Sequence, residues 1–74
     1  MEWNLEGHRI SAVYMELNHV TGRVIESRVA YGGRVLHTIE LDHPLNFFGR
    51  ARDRVIVDHE DVTSVIPDTG RDRE

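Results

Sequence analysis

The chain reads as all-β on three observations. Residues Arg23 to Leu41 form one amphipathic hairpin once their register is solved, β-branched residues cluster in Arg54-Val55-Ile56-Val57, and no segment carries apolar residues at helical spacing over ten or more positions. No internal repeat is visible.

Tyr31-Gly32-Gly33 suits a three-residue loop, with Gly33 free to take the positive φ that a turn followed by a bulge requires. Cross-strand partners then sum to 64 by residue number, so Val29 faces Val35, Ser27 faces His37 and Ile25 faces Ile39 on one largely apolar face. The opposite face, Ala30, Arg28, Glu26 and Val24 against Arg34, Leu36, Thr38 and Glu40, is mostly polar. A two-residue Gly32-Gly33 loop would set Ile25 against Glu40 and mix charge into both faces.

The remaining elements follow in order. His8 to Leu17 alternates Ile10, Ala12 and Tyr14 with Val13, Met15 and Leu17, which predicts a first strand buried on both faces or bent between two sheets. Asn18 to Gly22 holds turn formers and is expected to connect that strand to the hairpin, antiparallel. Beyond Leu41 the pattern breaks at Asp42-His43-Pro44, which predicts a long loop to about Gly49. Arg54 to Val57 is the fourth strand, Asp58 to Asp61 a tight helical turn, and Val62 to Ile66 a short last strand stopped by Pro67. Residues 1–66 are read as a single β-barrel domain, and residues 67–74, nearly all polar, as a disordered tail.

Five short antiparallel strands, with a long loop before the fourth and a tight turn before the fifth, resemble an SH3-like small barrel over about Ile10 to Ile66. The resemblance implies a curled sheet with two open ends, an architecture that hosts peptide binders, nucleic-acid binders and enzyme subunits alike. An OB-type barrel needs a helix between strands, for which the chain has no room.

Seventy-four residues make a core so small that only around 60% of the unfolded chain's surface is buried. With no cysteine, neither disulfides nor thiolate metal sites assist, and the usual remedy is association with another copy. No apolar run approaches the roughly 20 residues that span a bilayer, and Met1-Glu2-Trp3-Asn4 does not open a secretory signal, so the expectation is a cytoplasmic protein without a membrane partner. All nine basic residues are arginine, and a net charge of −4 disfavours polyanions except at a local patch.

Such a patch exists on paper. Phe47 and Phe48, followed by Arg50, Arg52 and Arg54 at alternate positions, combine stacking faces with guanidinium groups, the pairing a nucleic-acid binder uses. The competing reading has the phenylalanines plug an open barrel end and the arginines form the wet face of a strand.

Among the five histidines, His43 beside Asp42 and His59 beside Asp58, Glu60 and Asp61 raise a metal, but no two lie three or four apart on a helix. Neither metal nor cofactor is expected. Asp58 to Asp61 fits a turn with locally bonded carboxylates better. His37 is aimed at the core opposite Ser27, where a buried imidazole needs a hydrogen-bond partner; the pair is either a satisfied core contact or part of a small-molecule pocket or enzyme subunit. Gly32-Gly33 lacks the Lys-Ser/Thr of a phosphate loop. Trp3 is expected to cover an edge or end of the barrel or to meet a partner chain.

The leading expectation is therefore a non-enzymatic binding module that self-associates through sheet edges as a homo-oligomer, with the first strand as the contact surface. Nucleic-acid binding through Phe47, Phe48, Arg50, Arg52 and Arg54 and a pocket at His37 are the alternatives.

Overall fold

The computed structural model describes residues 3–66. Five strands, β1 (Arg9–Tyr14), β2 (Asn18–Val29), β3 (Val35–Phe47), β4 (Arg50–Asp58) and β5 (Val62–Ile66), form one antiparallel sheet in the order β4-β3-β2-β1-β5. The sheet is not closed: β4 and β5 are its two edges. Among the described residues no helix is long and apolar enough to cross a membrane. The expected tail, residues 67–74, lies outside the described residues.

The β2–β3 hairpin keeps the expected turn. Tyr31–Gly33 forms a 3-10 turn closed by Ala30 N–H donating to Arg34 O at 2.6 Å, with Gly32 and Gly33 both at positive φ. From Val29 opposite Val35 to Glu26 opposite Thr38 the partners sum to 64. The expected Ile25–Ile39 pair does not form. Ile25 is a bulge residue, Val24 stands opposite Ile39, and Ile25 is 42% exposed.

The bulge has a packing reason. On β2 the inward residues are Val20, Gly22 and Val24 before it and Ser27 after it, so the extra residue switches the buried parity. Against an uninterrupted inward row of His37, Ile39 and Leu41 on β3, both halves of β2 then face the core. Backbone groups released there are taken up by the N-terminal segment. Gly7 N–H donates to Val24 O, Val24 N–H to His8 O, and Ser27 N–H to the Glu6 carboxylate, at 2.8 to 2.9 Å.

Two further expectations are corrected. Asn18 to Gly22 is strand rather than turn; the chain reverses at Met15-Glu16-Leu17, with Met15 and Glu16 at φ 53° and 69°. Gly22 is the close-approach point of β2 and β3, because a Cβ there would sit 2.2 Å from the Glu40 carbonyl oxygen. The long loop from Asp42 to Gly49 is mostly strand: β3 runs to Phe47, slips register between Glu40 and Leu45 around Pro44, and turns at Phe48-Gly49 into a β4 that starts at Arg50 rather than Arg54. β1 pairs along one edge with β2 and along the other with β5. The 3-10 turn His59–Asp61 and β5 lie where the sequence reading put them.

The buried apolar side chains are Leu5, Ile10, Ala12, Val20, Val24, Ile39, Leu41, Val55 and Val57, with Tyr14, Leu45 and Val62 packed against them. Arg9 on β1 grips Asp42 with two parallel hydrogen bonds, holding β3 to the sheet just beyond the last residue that pairs with β2.

Candidate functional site

Ser27 and His37 meet across the hairpin below the bulge, where both point inward. Ser27 Oγ lies 2.7 Å from His37 Nδ1, and His37 is fully buried. The β3–β4 ladder sets His37 opposite Val57, so the chain leaving β4 through Asp58 delivers His59 to the far side of the imidazole. His37 Nε2 lies 2.8 Å from His59 Nδ1, with the rings 5.0 Å apart and tilted by 49°. The result is a chain of polar contacts from the core to the half-buried His59.

Its direction follows from donor accounting. Leu5 N–H donates to Ser27 Oγ at 3.0 Å, so the serine proton is left for His37 Nδ1. His37 then carries its proton on Nε2 and donates to His59 Nδ1, and His59 carries its own on Nε2. This direction gives the Ser27 hydroxyl and the His37 Nε2–H each an acceptor, in keeping with the absence of unsatisfied buried side-chain nitrogen or oxygen among the described residues.

Desolvation in the core pushes the His37 pKa below its ordinary value of 6.5; the adjacent His59 pushes the same way and Asp58 opposes both. Asp58 accepts from Glu60 N–H and from the Arg34 guanidinium, and these bonds hold its carboxyl below the usual range. Asp42 is lowered likewise, first by its hydrogen bonds from Arg9. Chemically, the Ser27–His37–His59 chain can relay a proton. Ser27 Oγ is 7% exposed as a residue and bonded on both sides, which leaves no approach for an electrophile.

His59 was missed as a partner of His37 because they stand 22 residues apart and only the β3–β4 register joins them. The available signal was Asp58-Xaa-Glu60, a short turn at the end of a strand. His59 and Glu60 border two cavities, one of about 550 Å³ with Leu5, Val62 and Val65, the other of about 520 Å³ with Gly32, Gly33 and Arg34; His37 borders neither. Among the described residues, no group of three or more His, Cys, Asp or Glu is placed to hold a metal ion.

The other expected residues gather elsewhere. Arg50, Arg52 and Arg54 lie exposed along β4, Phe48 caps the β3–β4 turn at 87% exposure, and Phe47 ends β3. Phe48 therefore does not plug a barrel end. Trp3 is 42% exposed at the start of the described chain. The structure thus separates two groups, the buried Ser27–His37–His59 chain and the arginine-bearing β3–β4 hairpin. No protein-family model, curated protein or solved structure matches this chain.

Proposed function

We propose that the protein is a small non-enzymatic binding module, an SH3-like barrel left open along one seam, that assembles with copies of itself through its sheet edges. The observation that carries this reading is the unclosed sheet. β4 comes within 8 Å of β1 without pairing to it, so β4 and β5 each keep a row of backbone groups with no strand beside it. The strand order and the 3-10 turn before β5 support the barrel reading.

Exposed apolar residues sit on both edges, Ile56 at 51% and Val65 at 46%, and a small core gains most from association. Burial of Ser27 and His37 away from the cavities favours binding over catalysis. Light scattering at micromolar concentration should find a species of at least twice the 8.6 kDa chain mass that dissociates on dilution. A monomer at every concentration overturns the reading.

A further inference from the structure

The distal halves of β3 and β4 leave the sheet as a two-stranded arm. β2 pairs with β3 no further than Leu41, and beyond the slip at Pro44 only Leu45–Phe47 and Arg50–Arg52 pair with each other. Along β4, Val55 and Val57 turn into the core, and Arg50, Arg52 and Arg54 share the opposite parity. Alternate residues of a strand repeat at about 6.8 Å, close to the step between successive phosphates of an extended nucleic-acid strand.

Three other arginines are committed: Arg9 to Asp42, Arg34 to Asp58 and Arg23 to the Gly7 carbonyl. The side chains of Arg50, Arg52 and Arg54 have no hydrogen bond or ion pair among the described residues, and Arg50 and Arg52 stand opposite Phe47 and Leu45 rather than an acid. Of the three only Arg54 has an acid across from it, Glu40, which faces Arg23 on its other side. Between His43 and Arg54 three arginines against one aspartate, Asp53, give a local +2 in a chain of net −4.

Two features beside the ladder suit bases rather than charge. Arg52 and Arg54 border a cavity of about 300 Å³ whose walls include Tyr14 and Ile56. At the tip, Phe48 is 87% exposed and held at φ 54°, a left-handed conformation that costs a non-glycine residue energy and tends to persist where function needs it.

We infer that this face of the arm binds single-stranded nucleic acid, Arg50, Arg52 and Arg54 holding successive phosphates while Phe48 and the Tyr14–Ile56 cavity receive bases. Single strands are favoured over duplex because only unstacked bases can reach an aromatic tip and a side cavity.

The test is fluorescence anisotropy of a labelled oligothymidine against the full chain, begun at about 50 mM salt. Three phosphate contacts on a single strand predict a log–log salt slope near −2, a loss of roughly 20-fold in affinity between about 50 and 200 mM. Arg50→Glu with Arg52→Glu should abolish binding with the β-sheet circular dichroism unchanged, and Arg28→Glu, an exposed charge on β2, should leave it intact. No anisotropy change, or wild-type binding by the double variant, overturns the site. Equal affinity for inorganic polyphosphate, or tighter binding of duplex, overturns the base-reading part and with it the ligand class.

Discussion

His37 makes a polar core tolerable only because both of its nitrogens are occupied. Replacing it with Ala strips an acceptor from the Ser27 hydroxyl and a donor from His59 and opens a cavity, a combination that should cost about 3 kcal/mol. His37→Gln, nearer in volume, carries the pH test. Burial holds the folded His37 pKa below 6.5, so on acidification the unfolded chain takes up a proton at this residue first. Stability should therefore fall as pH drops below 6.5, and urea midpoints followed from about pH 7.5 to about pH 5 should decline more steeply in the wild type than in His37→Gln. Equal slopes would show that His37 is protonated as readily inside the fold as outside it. Asp42 and Asp58, both held low, act in the same sense further down, their stabilisation being lost as pH falls through and below 3.8. The Ser27–His37 contact was legible from residue numbers, because the turn at Tyr31–Gly33 fixes local register. Its continuation to His59 was not, because it depends on a second hairpin whose register slips.

Within each element, sequence signals were reliable where backbone demands and residue types agree. Gly32 and Gly33 sit at positive φ in a turn the sequence could name, and β5 occupies its expected span. They failed where ordinary L-residues take left-handed conformations: Met15 and Glu16 do so without a glycine or asparagine between them to announce it, hiding the β1–β2 turn, and Phe48 does so one residue before Gly49, so that the end of β3 was placed too early. The Ile25 bulge was equally invisible, since the groups that satisfy it come from Gly7, His8 and Glu6 rather than from the hairpin. These failures have an energetic counterpart. Phe48-Gly49, both at positive φ, is a turn in which Asn-Gly is preferred, so Phe48→Asn should relieve about 1 kcal/mol and raise the thermal midpoint. If Phe48 stacks on a base, the same variant should bind oligothymidine more weakly, so the stability and affinity curves move in opposite directions. An unchanged midpoint would mean that the left-handed phenylalanine costs the fold nothing.

At the scale of the whole molecule the deciding feature is that five strands stop short of a closed cylinder. Composition had pointed to a small core, and the topology leaves two strand edges unpaired, on β4 and β5, while β1 is paired along both of its edges. The edges differ in kind. β4 carries Arg50, Arg52 and Arg54, charges of the sort that guard an edge against unwanted pairing, and has Ile56 as its one well-exposed large aliphatic residue; β5 is short and uncharged, with Val65 exposed. A lysine at either aliphatic position should disturb pairing at that edge with little effect on the monomer, because both side chains are about half in water already. If copies join edge to edge, the wild-type unfolding midpoint should rise with protein concentration. Ile56→Lys and Val65→Lys should each be tested for loss of that dependence and for a drop in mass by light scattering. Loss with only one of them names the edge, and loss with both points to β4 of one copy meeting β5 of the next, a head-to-tail contact that builds a ring or a filament rather than a two-fold dimer. Full concentration dependence in both variants would move the contact off the sheet edges altogether.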